Sequence, residues 1–116
     1  MPEYVNEACS TYYPLIEKYE WDKDTAVQVM MAESGCVKEA VNWADSHKTC
    51  SASYSLFQIA CMHAETYGYT LDDLYKPEVN IEIAYKLWSE QGWSPWTTYT
   101  SGKYLKYATT SPQNAL

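Results

Sequence analysis

The sequence predicts a mainly α domain, of the α+β kind, with one small β element in its middle. Three observations carry this. A nearly continuous apolar run, Ala26, Val27, Val29, Met30 and Met31, begins just after Asp24 and ends before Gly35, the pattern of a helix buried on most sides. A second apolar stripe, Val79, Ile81, Ile83, Ala84, Leu87 and Trp88, lies between Pro77, which can open a helix, and Gly92, which can stop one. Between the two, the stretch 53–59 (Ser-Tyr-Ser-Leu-Phe-Gln-Ile) is β-prone and partly alternating, the best strand candidate in the chain. A length of 116 residues suits one domain and not two. No internal repeat or Gly/Ser linker divides it, so a single domain over 1–116 is expected.

The remaining elements follow in order. Residues 12–19 read as a short helix, with Thr11 as a candidate cap and Pro14 tolerable in the first turn. Trp21-Asp22-Lys23-Asp24 is a break followed by a cap. After Gly35 the pattern loses period from Cys36 to Ala52, which predicts a long loop or a small irregular sheet. A short helix is expected around 62–67, closed by Gly68, and a capped turn over 70–75. A last short helix near 99–108 precedes a polar tail, 109–116, expected to fray. The core of the domain is placed at about 12–107.

Charge and composition exclude several functions. Fifteen acidic residues face eight lysines and no arginine, a balance of -7 that argues against nucleic acid, whose phosphates need cationic contacts, and against an anionic membrane surface. No apolar stretch approaches the roughly 20 residues of a membrane span, so no insertion is expected. Twelve tyrosines and five tryptophans stand beside one phenylalanine. Rings with a polar edge suit either a groove for a hydroxylated ligand such as a sugar, or the wet boundary of a small core. Both readings stay open on composition.

Four cysteines, Cys9, Cys36, Cys50 and Cys61, lack the CxxC spacing of a zinc site, and two disulfides in an oxidising compartment are expected. Spacing does not choose among the three possible connectivities; the pairing expected is Cys36–Cys50, pinning the loop after the apolar helix, with Cys9–Cys61, tying the N-terminus to the strand exit. A chain so stapled belongs outside the cytoplasm, although MPEYVNEACS shows no signal-peptide pattern. Asp72, Asp73 and Glu78 lack calcium-loop spacing and read as helix caps. His47 and His63 read as surface or capping residues. Neither a metal nor an organic cofactor is implied.

Glu33 is the carboxylate that looks misplaced. It follows Val29-Met30-Met31-Ala32 at the C-terminal end of an apolar helix, where burial and the negative end of the helix dipole both raise a carboxyl pKa. Such a group, held above the ordinary value of about 4.3, is what a general acid needs to protonate a glycosidic oxygen. The alternative is a solvated Glu at the helix edge.

Glu33-Ser34-Gly35, followed after about twenty residues by Leu56-Phe57-Gln58-Ile59, resembles the lytic transglycosylase branch of the lysozyme-like superfamily. Ala40-Val41-Asn42, Pro77-Glu78-Val79-Asn80-Ile81 and Tyr99-Thr100-Ser101-Gly102 are similar to further segments of that family, in the same order. The resemblance spans about 12–107. It implies Glu33 as sole catalytic acid/base, with Ser34 orienting the carboxyl or the sugar. It also implies that Gln58 touches the glycan from the strand, that Tyr99 reaches toward Glu33, and that Asn80 braces its helix. Ser55 stands where the family has Gly and borders the cleft with a bulkier group. Trp96, like Trp93, is a candidate for stacking on a sugar.

The resemblance therefore implies cleavage of the β-1,4 bond between N-acetylmuramic acid and N-acetylglucosamine in peptidoglycan, by a monomer in the periplasm, cell wall or exterior. Working alone, Glu33 would leave a 1,6-anhydro product. A hydrolytic lysozyme would need a second carboxylate, and Asp45 is the candidate. A wall-binding module without turnover is the rival from another class. A disulfide-stapled inhibitor or toxin is discouraged by the long apolar helix.

Overall fold

A computed structural model describes residues 7–44 and 50–107. The polar tail 109–116, and Asp45 and His47 of the long loop, lie outside the described residues. The chain is mostly helical with a small antiparallel sheet. α1 (Glu7–Ser10) and α2 (Tyr13–Glu17) lead into α3 (Lys23–Ser34). The sheet β1 (Val41–Asn42), β2 (Ser53–Tyr54), β3 (Ile59–Ala60) follows in sequence order. α4 (Met62–Thr66), a 3-10 turn at Asp72–Tyr75 and the long α5 (Pro77–Gln91) come next. α6 (Thr97–Thr100) and a 3-10 segment at Lys103–Tyr107 close the described chain against α3.

α3 begins where the sequence places a cap. Asp22 is in extended backbone and its carboxylate accepts from the Thr25 N–H at 3.0 Å. Five consecutive residues, Ala26 to Met30, are buried, Gln28 included, because α2, α6 and the 3-10 segment at Lys103–Tyr107 all pack on α3. The helix ends at Gly35, whose φ of 66° is the left-handed geometry that closes a helix, with its N–H on the Met31 carbonyl at 2.8 Å. α5 runs over the expected residues and buries Val79, Ile81, Ile83, Ala84 and Leu87. Trp21 fills the centre between these helices. Its indole N–H donates to the Ile16 carbonyl at 2.9 Å and its ring lies parallel to Trp93 at 5.4 Å.

Four expectations are corrected. The stretch 53–59 is not one strand but a hairpin: Ser53 pairs with Ala60 and Tyr54 with Ile59, and residues 55–58 form its turn. Ser55 and Gln58 take left-handed backbone, with φ of 69° and 49°, so the chain reverses instead of continuing. Second, the helix expected near 99–108 is broken at Gly102 into α6 and the following 3-10 segment. Third, the disulfides are Cys9–Cys36 and Cys50–Cys61. The hairpin explains the second pair, because its register puts the Cys61 N–H on the Ala52 carbonyl at 3.0 Å, bringing Cys61 beside the start of β2. The sharp exit from α3 turns Cys36 back onto α1, which gives the first. Thr11 does not cap α2, since Tyr12 occupies that position without a side-chain bond.

Two carboxylates outside the site tie folding to pH. Asp73 and Thr70 cap each other's backbone N–H, at 2.9 and 3.2 Å. The Thr70 N–H, then Lys76, hold the Asp73 carboxyl below its ordinary 3.8. The Tyr69 hydroxyl, donated at 2.6 Å, and then Lys86 hold Glu82 below its ordinary 4.5. A carboxyl depressed in the folded state contributes stability that is complete above its unfolded pKa and disappears as pH falls through its folded one. The thermal midpoint is therefore expected to be flat from neutral pH down to about 5 and to drop below about 4. Scanning calorimetry at pH 6 and pH 3 checks it, and Glu82→Gln with Asp73→Asn should flatten the acid limb.

Candidate active site

Glu33 stands on the last turn of α3, half-buried, facing the hairpin turn. Two cavities meet at it. One, of about 280 Å³, is walled by Glu33, Gln58, Ile59, His63, Trp96 and Thr97 among others. The second, of about 500 Å³, opens on the other side between Glu33, Ser34, Asn42, Gln58 and Thr98. Glu33, Gln58 and Thr97 border both, so the acid and the glutamine lie at the waist between the two cavities. Among the described residues lining the two cavities, Glu33 is the only carboxylate. Glu39, just past α3, is exposed. Asp45 lies outside the described residues.

The hairpin turn that carries Gln58 is held by Asn80, fully buried on α5. Its amide donates to the Tyr54 and Leu74 carbonyls at 2.9 and 3.0 Å, and its oxygen accepts the Phe57 N–H at 2.8 Å. Asn80 thus braces the turn as well as its helix. The Gln58 side chain donates to both the Ala40 and Ser55 carbonyls, at 3.1 and 2.9 Å. Two carbonyl partners fix which end of that amide is nitrogen, so its oxygen remains as the end that can accept from a ligand.

The other expected residues divide. Ser34 lines the larger cavity, but its hydroxyl works on the helix exit, donating to the Met30 carbonyl at 3.2 Å and accepting the Cys36 N–H at 3.1 Å. Trp96 is only 4% exposed; its indole N–H donates to the Phe57 carbonyl at 3.0 Å, so it forms the floor of the smaller cavity and not an open stacking face. Tyr99 is stacked between Trp93 and Tyr104, at 6.0 and 4.6 Å. Burial, then the neighbouring Tyr99 phenol, pushes the Tyr104 phenol up. The hydroxyl that reaches Glu33 belongs to the preceding residue: Thr98 donates to Glu33 Oε2 at 2.7 Å. Thr98 is the residue that sequence reasoning missed, and the polar pair Thr97-Thr98 between Trp96 and Tyr99 was the available signal.

Ser55 does not line either cavity. It is fully buried under the turn at φ 69°, and its hydroxyl has no hydrogen-bond partner. A left-handed backbone costs a non-glycine residue roughly 1–2 kcal/mol, and an unsatisfied buried hydroxyl about 1–3 kcal/mol. Against this, glycine loses more freedom on folding, by roughly 0.5–1 kcal/mol. Ser55→Gly is therefore expected to stabilise the fold by about 1–4 kcal/mol, read as a higher urea midpoint at unchanged slope.

The fold has a counterpart among known families. A model described as a lysozyme-like domain matches residues 20–98, from the entry of α3 through the hairpin and α5 to Thr98. The chain belongs to the lysozyme-like domain family. No curated protein and no solved structure matches it significantly. The matched span of this lysozyme-like domain contains Glu33, Gln58 and Thr98, the three side chains gathered at the waist of the groove, as well as the Asn80 brace. Two disulfides indicate an oxidising environment. No described helix is long and apolar enough to cross a membrane.

Proposed function

We propose that this lysozyme-like domain is a peptidoglycan lytic transglycosylase, cutting the β-1,4 bond between N-acetylmuramic acid and N-acetylglucosamine. One observation carries the reading: two cavities that share Glu33, Gln58 and Thr97, with no other carboxylate among their described lining residues. Glu33, entering as the carboxylic acid at the C-terminal end of α3, gives its proton to the glycosidic oxygen as the bond to C1 breaks. The resulting carboxylate takes the proton of the same sugar's 6-hydroxyl, whose oxygen bonds to C1. The ring closes as a 1,6-anhydro sugar, Glu33 is reprotonated and no water is consumed. The acceptor oxygen of Gln58 suits the N–H of an acetamido group on the opposite wall.

The domain would act as a monomer outside the cytoplasm, in the periplasm, the cell wall or the exterior, on glycan strands. Mass spectra of soluble muropeptides test the product, because the anhydro form is lighter than the hydrolytic one by one water. Reducing ends lost in Asp45→Asn would make the protein a lysozyme instead. An inactive wild type that still sediments with sacculi would make it a binding module.

A further inference from the structure

We propose that Thr98 is the positioning residue of the acid, holding the Glu33 carboxyl in the plane it needs for proton transfer; this rests on the reading of Glu33 as the general acid. The contact joins residues 65 apart in sequence, and its 2.7 Å length is that of a hydroxyl bound to a carboxyl oxygen. A hydroxyl fits both halves of the reaction. It donates to the carboxylate and can turn to accept from the carboxylic acid, so one side chain serves Glu33 before and after it gives up its proton.

The position of Thr98 is itself fixed by a chain of bonds through the hairpin turn. Asn80 accepts the Phe57 N–H at 2.8 Å, the Phe57 carbonyl accepts the Trp96 indole at 3.0 Å, and Trp96 leads directly into α6 and Thr98. The same turn carries Gln58. Both walls of the groove waist are therefore referenced to one buried amide on α5, and Thr98 is the last link from that frame to the acid. Tyr99, the next residue, has its ring stacked against Trp93 and Tyr104.

The test compares wild type, T98V and T98S on purified peptidoglycan, with thermal midpoints recorded for each. T98V keeps the shape and removes the hydroxyl. It is expected to lower kcat by about 10–100-fold with KM within about two-fold, and T98S is expected to recover most of the loss. Unchanged kcat in T98V overturns the proposal, and so does a T98S as impaired as T98V, because methyl packing would then be the active feature. Should T98V fail to fold, T98A against T98S asks the same question. A carboxyl-carbon NMR titration of Glu33 needs no turnover: a curve displaced in T98V and restored in T98S supports the contact, whereas superimposable curves overturn it. That readout separates failure of this proposal from failure of the glycosidase reading, which an inactive wild type would signal.

Discussion

Glu33→Gln is expected to lower turnover on peptidoglycan by about 10³-fold or more while leaving the thermal midpoint within a few degrees of wild type. The magnitude follows from the task given to one group. General acid or base assistance contributes about 10²–10⁴-fold per step, and here the same carboxyl serves as acid in one half of the reaction and as base in the other. The small effect on stability follows from the setting. Glu33 is half-buried at a helix end, and Gln can still accept from the Thr98 hydroxyl at the same position. A zymogram of both proteins at equal loading is the first check, with rates of muropeptide release as the second. Clearing by Glu33→Gln at the wild-type rate would show that another group does the chemistry. Asp45, the carboxylate whose place the structure does not describe, would then be the next to replace.

What the sequence revealed, and what it concealed, divides by how local the determining physics is. α3 was legible end to end because its cap, its apolar run and its glycine stop act within a few residues: Asp22 on Thr25, and Gly35 on Met31. Glu33 was legible for the same reason, as a carboxylate placed against the end of that run. The hairpin was not. Two residues without special conformational freedom, Ser55 and Gln58, adopt left-handed backbone there, and what holds them is Asn80, more than twenty residues away. Local propensity therefore reported a strand where tertiary bonds make a turn. The Tyr and Trp content resolves mainly toward the wet core boundary: Tyr19, Tyr69, Tyr85, Trp88 and Trp93 are partly buried rings packed on the core. The polar pair Thr97-Thr98 marked Thr98 only weakly, because its importance depends on α6 packing against α3, which no spacing encodes.

The disulfides show the same division and give the largest expected effect on stability. Oxidation was readable from count and spacing, while connectivity required the folded exit of α3 and the hairpin register. Cys9–Cys36 closes the longer loop, with a sequence separation of 27 against 11 for Cys50–Cys61. By the loop-entropy relation the first is worth about 3.6 kcal/mol and the second about 2.8 kcal/mol. Each kcal/mol moves the midpoint of a domain this size by roughly 3–5 °C. The Cys9→Ala/Cys36→Ala pair is therefore expected to melt roughly 10–18 °C below wild type, and Cys50→Ala/Cys61→Ala somewhat less far below. The two also differ in what they do to the site. Cys36 is buried three residues past Glu33, so its bond to Cys9 clamps the C-terminal end of α3 onto α1. Removing it should reduce kcat even at temperatures where the protein remains folded. Cys50–Cys61 instead closes the open end of the hairpin, away from its turn, and its loss should fall mainly on stability. Non-reducing peptide maps establish the pairing first. Denaturation and rate measurements on the two double variants then decide, and equal rate losses at full folding would show that the α1 clamp has no special hold on the acid.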